Sequence, residues 1–220
     1  MNKRFELLVF DWDGTLMDSI DHIAFSLAAA AEDVNLKDLG ILRYKSIIGL
    51  GLAEAMAELY PDAEQDEQTA LCERYRHHFL NSRNRSSNLF EGAHDMLTSL
   101  KSSGSKMAIA TGKARRGLDR VFDETGYHSM FHASRCADES GSKPDPNMLH
   151  EIMTELEISP DKTLMIGDSR YDMQMANNAG IECVAVSYGV HDCADLQEHT
   201  PLTCCNNIAE LSDWLHMHIE

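Results

Sequence analysis

The chain has 220 residues, 43% of them apolar and 25% charged, which is the balance of a folded globule rather than of a disordered or fibrous chain. Lys and Arg number 19 against 36 Asp and Glu, a formal charge of −17 that disfavours nucleic acid and anionic membranes as partners. No apolar run approaches the roughly 20 residues of a membrane span, and the apolar stretch at 5–10 is too short for a secretory signal and contains Glu6, so a cytoplasmic protein is expected.

Residues 5–10 read as a buried strand, cut off by Asp11-Trp12-Asp13-Gly14-Thr15. Helical spacing follows over 18–34, with Ile20, Ile23, Phe25 and Leu27. A loop is expected at 37–43, a helix at 52–59 stopped by Pro61, and a long polar helix at 64–84. From about residue 88 strands and helices alternate. Helices are expected at 93–101, 115–124, 147–156, 172–179 and 208–218, and strands at 106–110, 163–166 and 181–186, with a short one within 131–136. Alternation of this kind predicts a mostly parallel sheet with helices on both faces. The helical stretch between the first strand and the rest is too long for a loop. It is expected to be a small all-helical cap, residues 18–87, on an α/β core made of 1–17 and 88–220. The six cysteines show no C-x-x-C spacing, and reduced thiols are expected.

In open α/β sheets ligands bind beyond the carboxyl ends of the strands. Asp11 and Asp13 follow the first strand, Thr111 a second and Asp168 a later one. Two carboxylates two residues apart repel unless they share a cation or a proton, and a hard divalent ion such as Mg²⁺ resolves this with oxygen ligands. Gly14 directly after Asp13 does not fit a calcium-binding EF-hand loop. Asp168 and Asp172 add two acids at i and i+4. An N-cap with a first-turn Asp explains that pair equally well. Thr111-Gly112-Lys113 reads either as an anion site at a helix start or as a Thr N-cap. Lys143 precedes the rigid Pro144-Asp145-Pro146 turn, as a held cation or as a surface lysine.

In this order and spacing the four stretches resemble the motifs of the haloacid dehalogenase superfamily over the whole chain. Asp11-Trp12-Asp13-Gly14-Thr15 is similar to its first motif, Thr111 to the second, Lys143-Pro144 to the third, and Gly167-Asp168 with Asp172 to the fourth. The helical insert resembles the cap of subfamily I, and the nearest group is that of phosphoglycolate phosphatase-like hydrolases. The resemblance implies a Rossmann-like core and a phosphatase that acts on a small phosphorylated metabolite as a monomer or homodimer. It implies Asp11 as the nucleophile that forms an aspartyl-phosphate and Asp13 as general acid and base. Mg²⁺ is then held by Asp11, the Asp13 carbonyl and Asp168, with Asp172 close by. Thr111 and Lys143 bind phosphoryl oxygens, and Trp12 and Gly112 lie against the substrate. Dehalogenases lack an acid at the Asp13 position and phosphonate-cleaving relatives carry a small residue there, so Asp13 implies phosphate ester chemistry. Asp145 stands where near relatives commonly carry His, and is expected to point outward.

Gly49, Leu50 and Gly51 resemble the cap loop of the same group, and the nearby cations Arg43 and Lys45 are the expected partners for a substrate carboxylate; a hinge-like turn with surface charges explains the segment equally well. A sugar phosphomutase or a pyrophosphatase shares the four motifs. A phosphoacceptor signalling domain shares the sheet and some of the acids, but lacks a helical insert.

Overall fold

The computed structural model describes residues 4–81 and 88–219. Strand β1 (Leu7–Phe10) is wholly apolar and wholly buried, as a central parallel strand covered on both faces must be. Its alternate residues feed two cores. Leu8 and Phe10 face one layer and Leu7 and Val9 the other.

The short strand β2 (Met17–Asp18) leads into four helices: α1 (Ile20–Asp33), α2 (Ile41–Lys45), α3 (Leu52–Leu59) and α4 (Gln65–Asn81). The chain returns through β3 (Asn88–Leu89), antiparallel to β2 with Met17 opposite Leu89. The remaining elements are α5 (Ala93–Ser102), β4 (Lys106–Thr111), α6 (Arg115–Thr125), β5 (Ala133–Cys136), α7 (Ala137–Ser140), α8 (Asn147–Leu156), β6 (Thr163–Gly167), α9 (Arg170–Ala179), β7 (Glu182–Val186), α10 (Cys193–Gln197), β8 (Cys204–Cys205) and α11 (Ile208–His218). The sheet order is β5-β4-β1-β6-β7-β8, with every pair parallel. Helices α5, α6 and α11 cover one face, and α8, α9 and α10 the other.

The helical insert has its own apolar core. Ile20, Ile23, Ala24, Leu27 and Ala31 form a stripe along α1 at helical spacing, and it meets Tyr44, Met56, Leu59 and Leu71. Phe25 falls off that stripe and is half exposed. Helix α4 is polar, as expected, and Leu71 is its buried anchor; residues 82–84 of the expected helix lie outside the described residues. The loop expected at 37–43 gives way to α2. Gly40, at φ +81°, turns the chain into it, and the Asp38 carboxylate accepts the Gly40 N–H at 2.9 Å. Five residues are too few to show a period in sequence.

The expectation of six reduced thiols is corrected. Cys193 and Cys204 form a disulfide with Cα atoms 5.9 Å apart. They are brought together because β8 returns beside β7 while α10 folds across it, a proximity that has no signature in cysteine spacing. Cys72, Cys136, Cys183 and Cys205 are free thiols. No helix among the described residues is long and apolar enough to cross a membrane.

Candidate active site

The parallel register brings the carboxyl ends of β4, β1 and β6 level. Phe10 is opposite both Ile109 and Ile166, and the Asp11 N–H donates to the Ile166 carbonyl at 2.9 Å. Beyond these ends Asp11, Asp168 and Asp172 converge, each at most 2% exposed, with a carboxylate oxygen from each within 4.8 Å of the others. Lys143, equally buried, donates to Asp11 Oδ1 and to Asp172 Oδ1, both at 2.6 Å. Asp145, two residues on, is exposed as expected, and accepts the Asn147 N–H at 2.9 Å.

Local structure fixes each acid. Asp168 precedes α9 rather than lying on it, and Ser169 is the N-cap, so the helix starts two residues before the expected 172. Asp172 closes the capping box by accepting the Ser169 N–H at 3.0 Å and its hydroxyl at 2.6 Å. The Asp168 carboxylate accepts the Thr15 hydroxyl at 2.9 Å and the Val190 N–H at 2.8 Å. It sits between Gly14 and Gly189, where any Cβ would come within 2.2 Å of Oδ2. Gly14 also has φ +88°, so only glycine fits this cradle without strain.

Burial pushes the Asp11 carboxyl well above its usual range; Lys143 opposes this, and the charges of Asp172 and Asp168 add to it. Burial likewise pushes Asp168 up to about 7, with Asp172 adding to the shift. For Lys143 burial disfavours the charge, but Asp11 and Asp172 outweigh it and hold the ammonium above its usual value. Three buried carboxylates against one ammonium leave negative charge uncompensated. An all-oxygen donor set of this kind fits a hard divalent cation.

Asp13 stands apart. Its carboxylate accepts the Ser19 hydroxyl at 2.6 Å and is paired with Lys113 at 2.8 Å, so as a metal ligand it is left only the carbonyl that the resemblance implied. Thr111 is buried and its hydroxyl accepts the Lys113 N–H at 3.2 Å. It is not the N-cap of α6, a position held by Ala114.

The cap loop reaches the site. A Cβ on Gly112 would meet the carbonyls of Leu50 and Gly49 at 2.5 and 2.6 Å. Gly49, at φ +111°, lies against Ser169, and the Gly51 N–H donates to the Ser142 hydroxyl at 2.7 Å. The cap is therefore closed on the core, touching the loops that carry Thr111, Lys143 and Asp168.

Three expected substrate contacts are not brought there. Arg43 is bound to the Glu58 carbonyl at 2.6 Å and to its carboxylate at 3.1 Å. Glu58 lies seven residues beyond Gly51 along α3, about 10 Å down the axis at ~1.5 Å per residue. Arg43 thus points away from the site, and Lys45 pairs with Asp21 instead. Trp12 is fully buried and packs edge-on against Phe122, Tyr127 and Phe131. Alternation beyond β1 sends Asp11 and Asp13 to one side and Trp12 to the other, so only its backbone faces the site. A polar cavity of about 490 Å³ also opens beside the edge strand β5. Its charges pair off locally, Arg115 with Glu139 and Arg135 with Glu151 and Glu155.

Site residues without an assigned role in the sequence reading are Lys113, Ser19, Ser169 and the Gly189-Val190 turn. Lys113 carried the one available signal, a cation directly after Thr111-Gly112.

A parallel sheet with an acid cluster at its carboxyl ends, closed over by a helical insert, defines a capped α/β enzyme. The chain belongs to the haloacid dehalogenase-like hydrolase family, whose sequence profile matches residues 8–186. It is 27% identical to a phosphoglycolate phosphatase of Nitrosococcus oceani over 221 aligned positions, covering 98% of each chain. It is 29% identical to phosphoglycolate phosphatase 1 of Pseudomonas aeruginosa, covering 93% of this chain and 78% of that one. The fold is shared with a hydrolase from Pseudomonas syringae, with a TM-score of 0.88 at 21% identity over 98% of this chain and 100% of that one. A haloacid dehalogenase-like hydrolase from Streptococcus pneumoniae superposes with a TM-score of 0.82 at 21% identity, over 96% and 98% of the two chains.

Proposed function

We propose that this hydrolase is a Mg²⁺-dependent phosphatase that cleaves a small phosphomonoester of the phosphoglycolate kind through an aspartyl-phosphate. The observation that carries the reading is Asp11, a buried carboxylate at a strand end, held by Lys143 and flanked by Asp168 and Asp172. Relatives named phosphoglycolate phosphatase along nearly the full chain support the substrate class.

Asp11, Asp168, Asp172 and the Asp13 carbonyl are the groups that would hold Mg²⁺, which when bound supplies positive charge against the phosphoryl oxygens and the acid cluster. The Asp11 carboxylate attacks phosphorus, and the bond from phosphorus to the ester oxygen breaks. Asp13 gives that oxygen its proton, then takes one from the water that opens the aspartyl-phosphate. Lys143, Thr111 and the Gly112 backbone receive the phosphoryl oxygens, offsetting the repulsion between a carboxylate and a phosphate dianion. The 18–87 insert acts as a lid that pivots on the β2–β3 ribbon and excludes water when closed.

The test is phosphate release from a panel of phosphomonoesters and pyrophosphate. Hydrolysis of small acidic monoesters with Mg²⁺, lost in excess chelator and regained on adding Mg²⁺, is expected. Activity that persists in excess chelator removes the metal from the reading, and turnover of pyrophosphate alone removes the monoester.

A further inference from the structure

The phosphatase chemistry leaves one cation of the site without a task. The Lys113 ammonium bonds both oxygens of Asp13, at 3.0 Å to Oδ1 and 2.8 Å to Oδ2. Only 11% of its side chain is exposed. Its stem rises from the core turn after β4, but its cover comes from the cap: Nζ lies 5.1 Å from the centroid of the Phe79 ring on α4. Phe79 is itself fixed within the cap, stacked on His22 with ring centroids 4.3 Å apart and packed beside Tyr75 at 5.7 Å. The cation is thus sandwiched between the two bodies, directly beyond the acid.

The reaction determines what arrives there. Asp13 must come within a hydrogen bond, about 3 Å, of the leaving oxygen. Lys113 stands at hydrogen-bond distance from the same carboxylate. The leaving oxygen and Nζ therefore share one carboxylate and lie within about 6 Å of each other, which leaves a group on the ester carbon within reach of Nζ, under Phe79. A carboxylate in that position meets a desolvated ammonium with an aromatic cover, an environment in which ionic contacts are stronger than in water. A methyl group in that position offers the ammonium nothing. Arg43, bound to Glu58 at the far end of α3, makes no such approach.

We propose that Lys113, covered by Phe79 in the closed cap, is the specificity residue that selects phosphomonoesters carrying an anionic group on the ester carbon. The proposal rests on the phosphatase reading above and names the residue that decides its substrate class.

The experiment compares kcat/KM for 2-phosphoglycolate and for ethyl phosphate, which share a two-carbon skeleton and an alkyl leaving group. Both need Asp13 equally, so any effect of Lys113 exerted through Asp13 cancels in the ratio. Wild type should favour 2-phosphoglycolate. Lys113→Met should lower the ratio about 10–100-fold, the scale of one hydrogen bond to a charged group, chiefly through KM. Lys113→Arg should keep part of the preference, and Phe79→Leu should lose a few-fold of it. The melting temperature reports on the fold of each variant. An unchanged ratio in Lys113→Met overturns the proposal, whether both esters suffer equally, which makes Lys113 a support for Asp13, or neither does. A wild type that prefers ethyl phosphate overturns it too. Failure of wild type to cleave these two or any other ester of the panel sinks the phosphatase reading instead. Calorimetry with 2-phosphoglycolate then decides on Lys113: a tenfold or larger loss of affinity from Asp11→Asn to Asp11→Asn/Lys113→Met supports the proposal, and equal affinity overturns it.

Discussion

The buried cluster of the core and the surface of the cap treat charge in opposite ways. In the core, Asp11, Asp168, Asp172 and Lys143 are sealed within a few ångströms of one another, and three like charges share one counter-ion. In the cap, Lys45 pairs with Asp21 and Arg74 with Asp33, all with side chains 31–72% exposed. Water screens the cap pairs, so each contributes little to stability. Nothing screens the core cluster, so it costs stability and persists for another reason. The contrast separates charges placed for solubility from charges placed for chemistry, and it can be broken from either side.

Asp11→Asn should break it hardest. An amide is a poor nucleophile and a weak metal ligand, so steady-state turnover should vanish. The metal-free protein should melt at the same temperature or higher, because one member of a repelling group has lost its charge. Kinetics and thermal melts on the same preparation test both halves, and turnover by pure Asp11→Asn protein would remove Asp11 as the nucleophile. Asp13→Asn should cost about 10²–10⁴ in rate on an alkyl ester, the range for a general acid. The loss should shrink on an aryl ester whose leaving group needs no proton. Equal losses on the two would show that the contacts of Asp13 with Lys113 and Ser19 are its whole function.

A divalent cation should sharpen the contrast by neutralising the core alone. Asp168 binds its proton more tightly folded, with a pKa of about 7, than in an unfolded chain at ~3.9. The metal-free protein should therefore lose stability as pH rises from about 4 through about 7. Mg²⁺ competes with that proton, so the rise in melting temperature on adding it should be small at pH 5 and large at pH 8. At 100 times its dissociation constant the ion contributes about 2.7 kcal/mol. A shift of equal size at both pH values would place the ion elsewhere on the acidic surface.

The same contrast governs what could be read from sequence. The core acids were legible because a charged residue at the end of a buried strand has few explanations: Asp11 directly follows the fully apolar β1, and Asp168 directly follows Gly167 at the end of β6. Asp172 and Lys143 followed from their company. The long elements were legible through period, as in 147–156 and 208–218, which the structure reproduces. Short elements were not. The two-residue strands β2 and β3 and the five-residue helices α2 and α10 hold too few residues to show a period. Side-chain direction was the other blind spot. Trp12 lies between two site acids in sequence and on the far side of the strand end in space. Arg43 is near the cap loop in sequence but bonds to the far end of α3. The Cys193–Cys204 bridge depends on how α10 crosses β8, which only the tertiary fold decides.

The smallest effect belongs to the cap. Arg43 contacts the Glu58 carbonyl and carboxylate and the Ser46 hydroxyl, all within the cap, with its own side chain 37% exposed. Arg43→Ala removes a partly exposed ion pair, a loss of about 0–1 kcal/mol. It leaves Gly49, Gly51 and their contacts with Ser169 and Ser142 in place, so cap closure has no reason to change. A small drop in melting temperature is expected, with kcat/KM for 2-phosphoglycolate and for ethyl phosphate both within twofold of wild type. The pair of esters makes the result informative. A selective loss on the acidic ester would return Arg43 to the substrate and require the cap to close further than the structure shows, carrying α2 toward the acid cluster. A uniform loss on both would mean that the tie between α2 and α3 sets the position of the glycine loop, and that the cap, for all its exposed charge, is held as tightly as the core.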